Sequence, residues 1–217
     1  MNRYDRSRRL LAIAIAALAG FVDASGFLAG DRYFVSFMSG NTTRLAVDLT
    51  SDIRQAMIPL GLITGFVLGV TLGAITSDRA GKWRKTAVLA LSTLLLCGAA
   101  LAREYGSIAA MMAALVLAMG TLNNSFRRNG EVTVGVTYMT GSLVRIGQAI
   151  AAAIQGRPLA GWASTVLLWA GLVGGAIAGA VTYSAAPYYA LGLAAGWSAA
   201  LALFASRIER RSAHSEI

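Results

Sequence analysis

The chain has 217 residues, of which 56% are hydrophobic and only 13% charged, with a formal net charge of +9 and a mean hydropathy of +0.61. A soluble domain of this length carries roughly a quarter charged residues, and several segments here approach the ~18 to 20 apolar residues that span a bilayer, so composition excludes an ordinary soluble globule and implies a multi-pass membrane protein. The positive charge does not imply nucleic acid, because the basic residues fall in short clusters between apolar runs, as the positive-inside rule requires.

In chain order, Met1 to Arg9 holds four arginines ahead of the apolar run that opens the first predicted helix, about Leu10 to Ala29. Arg8-Arg9 and Ala17-Leu18-Ala19 can also be read as a twin-arginine signal with a cleavage site. A repeat described below makes a retained helix the better expectation. The segment from about Asp31 to Asp52 follows, then a helix near Met57 to Ser77 with Pro59 in its first turn, where proline is tolerated. A basic loop, Arg79 to Lys85, leads to a helix near Thr86 to Ala102, and Arg103-Glu104 marks a turn. Next come a helix over Ser107 to Phe126, a basic turn at Arg127-Arg128, and a segment from about Val132 to Gln155. Helices near Gly161 to Thr182 and from about Pro187 to Ser206 complete the set, before a polar tail, residues 207–217.

This order is a duplication. Phe37-Met38-Ser39-Gly40-Asn41-Thr42-Thr43-Arg44 returns as Tyr138-Met139-Thr140-Gly141-Ser142-Leu143-Val144-Arg145. Gly20 with Asp23 answers Gly120 with Asn123, and the ladder Gly65, Gly69, Gly73 answers Gly171, Gly175, Gly179. The period is too long for a solenoid and suits the two-repeat design of membrane transporters. The expected fold is therefore all-α and polytopic: one membrane domain of two fused three-span units, about 10–103 and 107–206, each with a re-entrant or broken motif helix.

Topology follows from charge. With both termini cytoplasmic and the motifs re-entrant, the inside holds the basic clusters Arg3 to Arg9, Arg79 to Lys85, Arg127-Arg128, Arg157 and Arg207 to Arg211, and the outside only Arg32, Arg54 and Arg103. If the motifs cross, the clusters around residues 82 and 127 move outside and the bias shrinks. Three spans per unit invert the second unit relative to the first. Length leaves a crossing, unwound helix open for the second motif, which is apolar apart from Arg145.

Within each motif, a glycine and a small polar residue precede a helical stretch, which reads as a helix start. Two such N-termini facing each other near the midplane would favour negative charge or a polar solute. Intramembrane ionisable residues suggest function by default. The candidate site is Asp23, Ser39, Gly40, Asn41, Arg44, Thr140, Gly141, Ser142 and Arg145, with the arginines setting the field and Asp23 balancing charge or carrying a proton. The competing reading is that Asp23 pairs with an arginine and the arginine stems snorkel to the interface. The glycine ladders are small-xxx-small packing faces, expected to meet each other or a partner subunit, which leaves a homo-oligomer open.

Cys97 lies alone in an apolar run and His214 alone in the tail, so neither a thiolate site nor a catalytic or metal-ligating histidine in the membrane can be built. No nucleophile–base motif or P-loop is present, and neither a metal, a cofactor nor an enzymatic activity is expected.

Gly20-Phe21-Val22-Asp23-Ala24, Tyr33-Phe34 and Phe37-Met38-Ser39-Gly40-Asn41 resemble the YoaK-like family of small bacterial multi-pass membrane proteins, in which an Asp-Ala in the first helix is followed by Met-Thr-Gly-Asn. Here Ser39 replaces the threonine and keeps the hydroxyl. The resemblance covers most of the chain and implies an integral inner-membrane protein, and it supplies no substrate. The expected function is a transporter or channel-like permease for a small polar or anionic solute at the unit interface. The alternative is a non-transporting membrane component that assembles with or regulates a partner.

Overall fold

The computed structural model describes residues 5–128, 131–132, 137, 139–157 and 161–214. Tyr138, the start of the second motif segment, and the ends of the chain at 1–4 and 215–217 lie outside them. Eight α-helices are described: α1 (Arg6–Ala29), α2 (Met38–Ser51), α3 (Ile53–Ala80), α4 (Arg84–Glu104), α5 (Ile108–Leu122), α6 (Thr140–Ile154), α7 (Trp162–Ala185) and α8 (Ala190–His214). Their starts are set by local chemistry. Asp5 caps α1 by accepting from the Arg8 amide at 2.7 Å, Asp52 caps α3 through the Arg54 amide at 2.9 Å, and Ser107 caps α5 through the Ala110 amide at 3.3 Å.

Five stretches are long and apolar enough to cross a membrane, and the longest, Ile53–Glu104, contains two helices. It breaks at Gly81, whose φ of 53° is open to glycine, and α3 and α4 pack against each other across that break. The Asp52 cap starts α3 several residues earlier than the sequence implied, so Pro59 lies inside the helix rather than in its first turn. Residues 207–214, read as tail, continue α8. A short antiparallel hairpin, β1 (Arg127–Arg128) with β2 (Glu131–Val132), replaces the simple basic turn.

Helices α1 and α5 are the best buried, and the ladder helices α3 and α7 lie outside them. The glycine ladders do not meet each other. Gly171, Gly175 and Gly179 of α7 receive the backbone of α1 at Ile13, Ala17 and Phe21; Gly65, Gly69 and Gly73 of α3 receive α5 at Val116, Leu117 and Thr121. The facing helix contributes a glycine of its own to each contact: Gly20 abuts the backbone at Leu172 and Ala176, and Gly120 abuts it at Phe66 and Val70. Numbers rise together on both helices of each pair, so α1 runs parallel to α7 and α3 parallel to α5. In lipid, with no hydrophobic drive between helices, such backbone approach gains dispersion and short polar bonds. Thr121 Oγ1 donates to the Gly69 carbonyl at 3.1 Å, Asn124 Nδ2 to the Val70 carbonyl at 3.0 Å, and Ser25 Oγ to the Gly179 carbonyl at 3.4 Å.

Helices α4 and α8 run antiparallel, joined by Thr93 Oγ1 donating to Ser198 Oγ at 2.9 Å and, at one end, by Glu209. Its carboxylate accepts from the Lys85 and Thr86 amides at 2.9 and 3.2 Å and from Thr86 Oγ1 at 2.7 Å, with the Lys85 ammonium 3.8 Å away. An anion thus sits on the first turn of α4, where the unpaired amides and the helix dipole favour it.

Candidate functional site

The first motif is built around a loop that dips back into the helices. After α1 ends at Gly30, residues 33–37 form an irregular loop that bends at Val35 and Ser36, and Asp23 Oδ1 accepts from the Val35 and Ser36 amides at 2.9 and 2.8 Å. Asp23 stands seven residues before Gly30, about 10 Å down the helix at 1.5 Å per residue, so the loop descends to that depth before α2 begins. Asn41, fully buried, closes the loop from the other side: its Oδ1 accepts from the Phe34 amide at 3.1 Å and its Nδ2 donates to the Phe34 carbonyl at 2.7 Å. Gly40 lies under Phe34, where a Cβ would come within 2.8 Å of the ring.

These bonds revise the expected roles. Asp23 meets backbone amides, not an arginine, because the buried N–H groups of Val35 and Ser36, outside any helix, need an acceptor and find its carboxylate. Asn41 does not cap α2. The helix starts at Met38, with Phe37 at the cap position and no side-chain cap bond. Arg44 sits with its guanidinium 3.8 Å over the Tyr33 ring and donates to the Arg32 carbonyl at 2.5 Å, a cation–π contact that holds the charge at the loop. Ser39 is exposed on the first turn, and its carbonyl accepts from Thr43 Oγ1. Asp48, one turn beyond Arg44 on the same face, has a buried Oδ2 without a hydrogen-bond partner.

The second motif repeats part of this. Asn123 Oδ1 accepts from Thr137 Oγ1 at 3.0 Å, both residues buried; Thr137 is the residue before the repeated aromatic, as Ser36 is in the first motif. Asn41 and Ser142 both reach back to the sulfur of the preceding methionine, Met38 at 3.7 Å and Met139 at 3.4 Å. Beyond that the two diverge. α6 starts at Thr140 after Met139 and buries no residue. Thr140, Gly141 and Arg145 are exposed, Gly141 has open space where a Cβ would go, and among the described residues Arg145 makes no side-chain bond. α2 packs on α3 and α6 on α7, and the two motif helices do not form a packed pair with each other. The fold therefore gathers Asp23, Gly40, Asn41 and Arg44 around one loop, and does not bring Thr140, Gly141, Ser142 and Arg145 to it.

Two features escape sequence reading. The Ser36 and Thr137 tethers are signalled only by a hydroxyl just before each repeated aromatic. Arg103 stacks against Tyr183 and Tyr188 at 4.9 and 5.4 Å, a contact between α4, α7 and the turn before α8 with no local signal.

The roles of Asp23 are separable. Asp23→Asn keeps a side-chain oxygen for Val35 and Ser36, and is expected to leave thermal stability within about 1 kcal/mol of the parent, whereas Asp23→Ala orphans two amides and costs about 1 to 3 kcal/mol. Equal loss in both variants, read by thermal unfolding in detergent, would show that the charge itself holds the loop.

The long apolar helices, the lipid-compatible packing and the intramembrane polar bonds define a polytopic α-helical membrane protein. The family comparison agrees: residues 11–204 match a protein family of unknown function, DUF1275, and the chain belongs to that family. This is the YoaK-like family anticipated from the Asp-Ala and Met-Ser-Gly-Asn motif. The chain is also 37% identical over 173 residues, 79% of its own length and 74% of the relative's, to a UPF0700 transmembrane protein of Rhizobium meliloti (strain 1021). No solved structure matches.

Proposed function

We propose that the protein is a permease for a small polar or anionic solute, built from two inverted three-span units in the bacterial inner membrane with both termini cytoplasmic. The observation that carries this is the pair of motif helices. α2 and α6, with 14 and 15 residues, are about 21 and 22 Å long, too short for a hydrocarbon core of about 30 Å. The loop before α2 reaches its start by descending to the level of Asp23. Interrupted backbone at membrane depth is tolerated only where protein or a water-filled cavity surrounds it, and transporters use such segments to bind solute.

Helix direction supports six spans. If α2 and α6 both crossed, α4 and α8 would run parallel; they are antiparallel, as the Thr86–Glu209 and Thr93–Ser198 bonds require. If only one crossed, α1 and α7 would be antiparallel, against the order of their glycine contacts. The contacts of Gly20 and Gly120, each with the ladder helix of the other half, support the duplication and interlock the halves. Arg44 favours an anion, with Asp23 and Asn41 holding the loop that presents it. The competing reading, a non-transporting component, needed free glycine faces for its partner. Those ladder faces are filled within the chain.

One experiment tests topology and transport together. In a Cys97→Ala background, Asp52→Cys is expected to label from outside intact cells with an impermeant thiol reagent and Lys82→Cys only after permeabilisation. In proteoliposomes, Arg44→Ala is expected to reduce anion flux at least tenfold while the folded protein is recovered in parental yield. The reverse labelling pattern sinks the six-span reading, and a flux carried only by cations sinks the solute class.

A further inference from the structure

The end of the molecule where α3 turns into α4 and α8 terminates carries a charged surface apart from the motif loop. The Glu209 clamp on Lys85 and Thr86 fixes the last turns of α8 against the first turn of α4. This brings two basic runs together around one indole: Trp83, half-buried, has Lys82 Nζ 6.0 Å and the Arg210 guanidinium 5.9 Å from its ring. Arg84 adjoins Trp83 in sequence, Arg79 lies in the last turn of α3 just before the break at Gly81, and Arg207, Arg210 and Arg211 share one exposed face of α8 at i, i+3, i+4 spacing. The acidic residues of these segments are Asp78 and Glu209, and Glu209 is buried and committed to α4. The α4 N-terminus is therefore already filled, and any anion at this surface must be held by side chains. The opposite end is balanced: Arg32, Arg54 and Arg103 stand among Asp31, Asp52 and Glu104.

We infer that this surface is a binding platform for the phosphate of anionic phospholipids in the adjoining leaflet. A half-buried indole flanked by cations is suited to the headgroup level, where its ring sits among glycerol and acyl carbons while the cations reach the phosphates. Clusters of four to eight Lys and Arg beside a membrane helix recruit anionic lipid through charge. Six cations, three around the α3–α4 turn and three on α8, held by a buried clamp, fit the headgroup of a lipid that is already concentrated at that depth. A free anion must be gathered from solution. The inference is independent of the transport reading and, in symmetric vesicles, of which way the protein faces.

The test uses the full chain with Trp162, Trp169 and Trp197 replaced by Phe, so that Trp83 is the sole indole, reconstituted in phosphatidylcholine vesicles. Equal amounts of brominated phosphatidylglycerol or brominated phosphatidylcholine are added, and quenching of Trp83 is read. Phosphatidylglycerol is expected to quench more, with the preference falling about fivefold for each charge removed in Lys82→Gln and Arg210→Gln, and inorganic phosphate leaving it unchanged. Equal quenching by both lipids overturns the platform and reduces Trp83 to a neutral anchor. Relief by inorganic phosphate overturns the lipid assignment in favour of a soluble anion. Because Trp197 packs edge-on against Phe21, a parallel measurement uses the unmodified protein: native mass spectrometry of detergent extracts, in which retention of phosphatidylglycerol over phosphatidylcholine must fall in the double Gln variant, and unchanged retention again refutes the platform.

Discussion

Gly175→Ala is expected to destabilise the protein by about 3 kcal/mol or more, the upper end of overpacking effects, although it adds a single methyl group. The added Cβ would lie 2.6 Å from the Ala17 carbonyl carbon and closer still to its oxygen. Both atoms are backbone, so no rotamer change can relieve the clash and α1 must move away from α7 as a body. Separation would also stretch the Ser25 bond to the Gly179 carbonyl one turn further on. The neighbouring residue is the control. A Cβ added at Gly174 would meet nothing within 4 Å, and Gly174→Ala is expected to be neutral or stabilising by about 0.5 to 1 kcal/mol, since alanine loses less entropy in a helix. Gly69→Ala makes the matching test on the other half, where the Cβ would lie 2.9 Å from the Leu117 Cα. Fluorescence-detected size exclusion after graded heating measures all three. Comparable losses at Gly69 and Gly175, with none at Gly174, are the signature of two equivalent interlocked contacts; a parental melting profile for Gly175→Ala would rule out the parallel packing of α1 on α7.

That contact also shows where sequence reading stops. A four-residue glycine spacing marks a close-packing face in any membrane helix, so the existence of both ladders was legible. Their partners were not, because spacing on one helix carries no information about which backbone fills it, and in place of the expected contact with each other or with a partner subunit each ladder receives another helix of the same chain. Long helices were legible because about 20 apolar residues in lipid have few alternatives to a helix. The recurrence of Met-Ser-Gly before Arg44 as Met-Thr-Gly before Arg145 was legible, yet the chemistry of the motif is only half visible there. Asp23 reads locally as a charge in need of a counter-ion, whereas the buried amides of Val35 and Ser36, invisible until the loop folds back, are its partners. Asn41 likewise reads as a cap from local sequence and acts as a clasp on Phe34 seven residues upstream. Glu209 is hidden among arginines in a segment that looks like a tail; only the approach of α8 to α4 turns it into a helix cap.

Glu209→Ala is the second substitution expected to have a large effect, about 3 to 5 kcal/mol, the cost of leaving one partner of a buried pair alone. Relative exposures of 11% and 6% for the Lys85 and Glu209 side chains place both partners out of water. The distances then say which bond matters. The ammonium stands 3.8 Å from the carboxylate, whereas the two amides and the Thr86 hydroxyl donate at 2.9, 3.2 and 2.7 Å. Most of the stabilisation therefore belongs to the anion on the first turn of α4 and less to the ion pair. Lys85→Met should cost clearly less than Glu209→Ala, because in that variant the carboxylate keeps three donors and the helix dipole. Glu209→Gln, which keeps an acceptor oxygen but loses the charge, should fall between them. The double variant Lys85→Met/Glu209→Leu removes the stranded ammonium but not the orphaned amides, so it should recover only part of the loss. Equilibrium unfolding of the four variants in mixed micelles ranks them. Full recovery in the double variant would mean that the ion pair, and not the cap, joins α8 to α4.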